Sequence, residues 1–196
     1  MIFGWDISTS IIGLTTFDDD CKFVSSEYLD LRKVDEGMII KSFLAESWIR
    51  VISDRHTGNS VHYVEDKLGG FSGGKTMQQT LLKLAGFNAT VSYLVWKSFN
   101  QTGRDAVVEH IHPSTVKAIL KKEGLFIPKG SDKKKLTLEF VSAKEPNFKV
   151  DLNKNGNFQP WCFDKADSYI VARAGFLRKK SSNATGKKSP ITETDV

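Results

Sequence analysis

Apolar and polar residues first alternate with a short period. "IFGWDIS" and "IIGLTTF" are two strand-like runs separated by Ser8-Thr9-Ser10. The acidic triplet at 18–20 makes a turn, and "KFVSSEYLDL" (22–31) reads as a third strand. Three adjacent strands with tight turns predict an antiparallel meander. The period then lengthens. Residues 36–55 place Ile40, Phe43, Leu44, Trp48, Val51 and Ile52 at helical spacing. "SVHYVE" (60–65) is a fourth strand, and residues 75–98 form a long helix through Met77, Leu81, Leu84, Ala85, Val91, Leu94 and Val95. "DAVVEHI" (105–111) is a fifth strand, and Pro113 opens a helix running through Leu120. Gly130-Ser131-Asp132 caps another helix to about Ala143, and a last one begins near Asp164 and fades after Leu177. A meander followed by βα alternation predicts an α/β fold: a mixed five-stranded sheet flanked by helices. With no internal repeat or linker, residues 1–178 form one domain, and residues 179–196 a polar tail with a basic start.

Composition narrows the class. Hydrophobic residues make up 40% and charged residues 26%, as in ordinary globular domains. Cys21 and Cys162 stand far apart, in neither a disulfide framework nor a zinc pattern. The N-terminus lacks a basic and apolar signal segment, and no apolar run approaches the roughly 20 residues of a membrane span. The expectation is a soluble, cytoplasmic protein. The net charge is +5, with an isoelectric point near 9.1. Much of that excess is local. Lys117, Lys121, Lys122, Lys129, Lys133, Lys134 and Lys135 face only Glu123 and Asp132 in residues 117–135. Such a patch suits a polyanion and largely sequence-independent phosphate contacts, although lysines also serve as plain solvated helix faces.

Four carboxylates stand at informative positions. Asp6 lies inside the first strand, where an acid is disfavoured and its burial is costly unless paired. Glu65 ends the fourth strand. Asp164 and Asp167 are spaced i, i+3, so both point to one helix face. Taken singly, each has an ordinary explanation: a turn residue, a surface ion pair, a helix cap and a dipole partner. In a sheet where the first and fourth strands are neighbours, the four converge. Clustered carboxylates remain ionised only beside a counter-charge, and oxygen-only ligands suit Mg²⁺ or Mn²⁺. Two such ions in one site would activate a water and stabilise the leaving oxygen of a phosphodiester.

At this point the chain resembles the RuvC-type Holliday-junction resolvases of the ribonuclease H-like superfamily. The resemblance rests on an ordered set: "GWDISTSIIGLT", "VHYVEDKLGGFSGGKTMQQTLLKLAG", "EHIHPSTVKAILKKEGLFIPKGSDKKKLTLEFV" and "FDKADSYIVARAG". It implies a ribonuclease H-like fold and metal-binding catalytic roles for Asp6, Glu65, Asp164 and Asp167. It also implies that Lys117 and either Lys133 or Lys134 lie near the scissile phosphate, with paired nicks leaving 5′-phosphate ends in DNA recombination or repair. Ile7-Ser8 follows the first Asp where bacterial members usually have Pro-Gly. That departure is closer to the divergent phage and viral members, some of which cut branched DNA more broadly. An aromatic in the loop after the Glu can stack at the junction; Phe71 and Leu68 are the nearest residues here.

Rival readings come from glycines. Gly69 to Thr76 satisfies the P-loop pattern. A P-loop follows its strand directly, though, and no later strand ends in an Asp suited to hold Mg²⁺. "DISTSIIG" also fits the first phosphate loop of actin-like ATPases, which need a second such domain. Both placements argue against a nucleotide, and they leave Lys75 to add phosphate affinity at a helix N-terminus. The reading is therefore a Mg²⁺-dependent, structure-selective endonuclease of branched DNA with two ions per site. A junction's near two-fold symmetry suits a homodimer, with helix 75–98 as a candidate seam. A fork or flap nuclease and an inactive DNA-binding module stand as alternatives.

Overall fold

The computed structural model describes residues 1–35, 37–66, 75–101 and 103–184, the side chains of 75–77 and 184 excepted. In chain order the elements are β1 (Ile2–Ile7), β2 (Ile11–Phe17), β3 (Phe23–Asp30), α1 (Gly37–Asp54), β4 (Ser60–Glu65), α2 (Lys75–Asn100), β5 (Ala106–Ile111), α3 (Pro113–Lys122), α4 (Lys133–Lys144) and α5 (Pro160–Ala184). The five strands form one sheet in the order β3-β2-β1-β4-β5. β1, β2 and β3 pair antiparallel, while β4 and β5 run parallel to β1. The meander and mixed sheet expected from periodicity are both present.

Two cores cover the two faces of the sheet, and β1 contributes to both because side chains alternate across a strand. Phe3, Trp5 and Ile7 pack with Ala45, Ile49 and Ile52 of α1 and Phe87, Val91, Val95 and Phe99 of α2. Ile2 faces the other way and joins Tyr63, Ile111, Val116, Leu138 and the apolar residues of α5. Each large side chain fully buried here contributes about 1.5–3 kcal/mol. Within the α1–α2 core, the imidazole of His62 is held neutral: burial drives its pKa down to about 3. There Trp5 Nε1 donates to His62 Nδ1 at 3.2 Å, and Ser60 Oγ lies 2.8 Å from Nε2. Cys21 and Cys162 are buried, unbridged thiols.

Two expectations need correction. First, α5 starts at Pro160 and extends to Ala184, rather than running from Asp164 to Leu177. Pro160 fits the first helical turn, where its missing N–H costs nothing. At the other end the polar last turns stay helical, with Ser181 and Ser182 hydroxyls bonding back to the carbonyls of Leu177 and Arg178. Arg178, Lys179 and Lys180 are thus helical, and Arg178 pairs with Glu109 at 2.6 Å. Asp164 lies in the second turn and is not a helix cap. Second, the buried face of α1 carries Ala45, Ile49, Ile52 and Ser53. Ile40, Phe43 and Val51 are 40%, 63% and 49% exposed. This helix is apolar on two faces, and spacing alone does not say which one docks. On α2, the candidate seam, Leu82, Tyr93 and Trp96 are exposed.

The closest approach in the fold lies between α5 and the sheet. A Cβ placed on Gly4 would fall 2.1 Å from Ser168 O, and one on Gly13 would fall 2.1 Å from Asp164 O. Both obstacles are backbone and cannot swing aside. Gly13→Ala and Gly4→Ala should each cost about 1–3 kcal/mol or more in urea unfolding. Gly58→Ala, which meets no atom within 4 Å, should be close to neutral.

Candidate active site

The same alternation that builds the cores places the acids. Asp6 follows Ile2 and Gly4 on the α5 face of β1, and Glu65 follows Val61 and Tyr63 on the α5 face of β4. β1 and β4 are parallel neighbours with Trp5 opposite Val64, so the next position on each strand carries a carboxylate. Across the other edge of β1, Asp6 pairs with Gly13, the residue on which the Asp164 carbonyl rests. Thr15 and Ser168 lock this seat: their hydroxyls lie 2.8 Å apart, and the Thr15 hydroxyl also donates to Lys165 O. Asp167 follows on the same helix face. Asp6, Glu65, Asp164 and Asp167 thereby line one open cleft of about 600 Å³. Asp6 and Asp164 are buried, 5% and 7% exposed.

Three cations share that cleft with the acids. Lys133 and Lys134 enter from the first turn of α4, after Asp132 caps the helix by accepting from Lys135 N at 3.1 Å. Lys134 Nζ lies 3.8 Å from Asp164 Oδ1 and 6.0 Å from the centre of the Phe163 ring. Sequence reasoning missed the third, Arg32. Its guanidinium grips Asp30 through two bonds of 2.9 and 2.6 Å and lies over Trp161. Those bonds hold the Asp30 carboxyl below its usual range. The residue was not legible in "YLDLRK", which reads simply as the end of a strand.

The electrostatics show crowding. Burial first, and then the charge of Asp6, push the Asp167 carboxyl up to about 7; Glu65 adds to the rise, while Lys133 and Lys134 oppose it. Among the described residues, no three carboxylate, imidazole or thiol side chains close into a ready-made metal cage. Like charges hold the acids apart, and the Lys134 ammonium partly compensates Asp164. The donor set itself suits a hard divalent cation: oxygen ligands only, beside a carboxylate that favours its proton because of its acidic neighbours.

The other expected site residues divide. Lys117 and Lys121 line a separate hollow on α3, and Lys122 faces a third surface beside Glu123 and Arg178. Lys135 is exposed and pairs with Glu139 at 4.0 Å. Phe71, Leu68 and the glycines of the P-loop pattern lie outside the described residues, as does the side chain of Lys75. A larger cavity of about 640 Å³ opens at the opposite end of β1, between Met1, Val107 and Phe176. Of its two acids, Asp19 and Asp105, the first pairs with the N-terminal ammonium, so the four-acid cleft is taken as the candidate site.

The unfolded chain releases the Asp167 proton near the ordinary 3.8, whereas the folded chain keeps it up to about 7. Without a divalent cation, the fold therefore loses stability as pH rises through that interval. Asp167→Asn should remove this loss. Its stability relative to the parent should grow across the interval and level off above about pH 7, read by urea unfolding in chelator. A parallel pair of pH profiles would contradict the assignment.

No protein-family model matches the chain, and no curated protein matches it. Solved structures do. Thermus thermophilus RuvC in complex with a Holliday-junction substrate superposes with a TM-score of 0.58 at 13% identity, over 97% of this chain and 100% of that one. A further Thermus thermophilus RuvC structure gives 0.59 at 14% identity, over 92% and 97%. At such identity the likeness is one of fold. The chain has a RuvC-like fold, with the mixed five-stranded sheet and flanking helices of the ribonuclease H-like class.

Proposed function

We propose that the protein is a divalent-metal-dependent endonuclease of branched DNA, with the four-way junction as its main substrate. The observation that carries this reading is the convergence of Asp6, Glu65, Asp164 and Asp167 on one cleft whose rim is lysine and arginine. The RuvC-like fold, seen in one neighbour bound to a Holliday junction, supports it.

Each group has a part in that chemistry. Asp6 and Glu65 sit on the rigid sheet, and Asp164 and Asp167 on α5, so the four oxygen donors are held by different elements. A divalent cation bound there, Mg²⁺ or in its place Mn²⁺, would supply the charge that activates a water and stabilises the leaving oxygen. Asp167, whose carboxyl pKa is raised by burial and by the charge of Asp6, would join the other three as a ligand once a cation supplied the counter-charge. Lys134 can exchange its contact with Asp164 for a phosphate oxygen, and Lys133 beside it lowers the cost of bringing a phosphate toward four acids. Arg32, fixed by Asp30, adds a positive wall on the β2–β3 side. The cleft is open, as a site receiving a polymer backbone must be.

We assign the partner copy to α2. Leu82, Gly86, Ala89, Tyr93 and Trp96 are exposed and spaced 4, 3, 4 and 3 residues apart, the rhythm of a helix–helix seam. Two small residues at its centre allow close approach. Tyr93 and Trp96 stack with ring centres 6.1 Å apart, forming a flat apolar end. An α2-to-α2 contact is isologous and brings two cutting sites to a substrate of two-fold symmetry.

The decisive assay incubates the protein with a labelled four-way junction, a fork and a linear duplex, with and without Mg²⁺. The expected result is metal-dependent nicking of the junction, leaving 5′-phosphate ends. Asp6→Asn should reduce the rate by about 100-fold or more, since such a contact is worth several kcal/mol in the transition state. Absence of cutting on every substrate would sink the proposal, and preference for the fork would move it to a flap-type nuclease. For the seam, Ala89→Glu should yield a folded monomer by light scattering and circular dichroism, and turn paired nicks into uncoupled single ones. A dimer unchanged by this charge would place the interface elsewhere.

A further inference from the structure

The α3–α4 connection presents an aromatic that the fold does not use. Glu123 closes α3, and the N–H of Leu125 returns to Leu120 O at 2.9 Å, so the chain leaves the helix along its own last turn. Leu125 is buried and Ile127 packs against the same core. Phe126, between these two anchors, is 67% exposed. A phenyl ring set between a buried and a partly buried neighbour is positioned but uncovered. Beside it is a hollow of about 160 Å³ lined by Lys117, Lys121, Leu125, Phe126 and Ile127. That is well below the roughly 300–1,000 Å³ of a pocket enclosing a whole small-molecule ligand.

The charge around the ring is of one sign. Lys117 and Lys121 are one turn apart on the same face of α3. No acid among the described residues lines the hollow. The nearest along the chain, Glu123, is held by Lys144 and Arg173 at 3.0 Å each. Its carboxyl lies below the usual range because those two cations bond it. The hollow is also linked to the cleft along the chain. Ile111, opposite Glu65 on β5, is separated from the start of α3 only by the cap residue His112, and Lys117 lies only about 6 Å along the helix axis from Pro113. The connection ends at Lys133, on the cleft rim.

We propose that Phe126 is a stacking platform for one unpaired nucleobase, with the adjoining phosphates held by Lys117 and Lys121. An exposed ring that shares a hollow with two lysines has the chemistry of single-strand binding, where every base offers a face to stack and the lysines track the backbone. A base inside a duplex has both faces covered, so the platform selects strands that are opened at a branch point. This proposal rests on the branched-DNA reading and specifies how the substrate is recognised.

The test measures binding without cleavage. On an Asp6→Asn background in chelator, fluorescence anisotropy follows a labelled oligothymidylate, a four-way junction and a blunt duplex. Phe126→Ala should weaken oligothymidylate binding by about 5- to 100-fold, the range of one base–aromatic stack, and leave the blunt duplex unchanged. Phe126→Trp should restore the affinity. Lys117→Ala with Lys121→Ala should flatten the salt dependence by roughly one to two phosphate contacts. Single-strand affinity unchanged in Phe126→Ala, or an equal loss on blunt duplex, would overturn the platform. Binding and cutting fail separately in this design. A parent that cuts junctions yet shows no Phe126 effect removes the platform alone. A parent that never cuts, but loses single-strand binding in Phe126→Ala, removes the nuclease reading and keeps the platform.

Discussion

The seating of α5 directly on the sheet backbone is the constraint from which the site follows. Gly4 and Gly13 have no side chains, so the carbonyls of Ser168 and Asp164 come down onto β1 and β2 themselves. Because Gly13 is the register partner of Asp6, the place where α5 touches the sheet is also where its first carboxylate meets the strand acid. Thr15 and Ser168 add a hydroxyl pair one step along the same line. Any side chain at Gly13 would lift the helix and separate Asp164 from Asp6 before it disturbed anything else. The architecture thus converts a packing requirement into the placement of two carboxylates in the candidate site.

That closeness works against stability. Buried or half-buried carboxylates facing one another cost several kcal/mol unless compensated, and Asp167 reveals the strain by favouring its proton. The surrounding cations lessen it without cancelling it. Lys134 remains largely exposed and Arg32 is already committed to Asp30. The offset comes from the far face of β1, where Phe3, Trp5 and Ile7 are fully buried. At about 1.5–3 kcal/mol for each such residue, one strand can carry an unfavourable acid on one side because the other side is packed without gaps. Alternation along six residues thus divides the labour between stability and chemistry.

Much of this was legible in the sequence because it depends on period and order. The meander, the parallel strands and the four acids follow from alternation, strand ends and an i, i+3 spacing. The start of α5 was not, because "NFQPWCF" carries Phe and Trp without clear helical spacing and only the proline marks the turn. Its end was missed for the opposite reason: "RKKSSNA" is polar, and a solvated helix leaves no apolar pattern. The buried face of α1 was misplaced because Phe43 and Ile40 are as apolar as Ile49 and Ile52, and docking is decided by the shape of the partner surface. Arg32 and Phe126 owe their positions beside the cleft and the hollow to where loops return in space, which no spacing rule encodes.

The lysine-rich segment shows how far charge counting can mislead when geometry is missing. Its seven lysines looked like one basic patch, yet the fold sends them to different tasks. Lys133 and Lys134 turn inward to the acids, Lys117 and Lys121 frame an aromatic hollow, and Lys122 faces another surface. A uniform patch would bind any phosphate backbone and select nothing. In the proposed reading, cations divided between an acidic cleft and a surface beside Phe126 would be bridged by a strand that offers a phosphodiester to one and an open base to the other. A straight duplex presents its phosphates but hides its bases, so it satisfies only half of that arrangement. Under the proposed function, selectivity for branched DNA would follow from dividing the cations between the two surfaces and would require no sequence-reading contact.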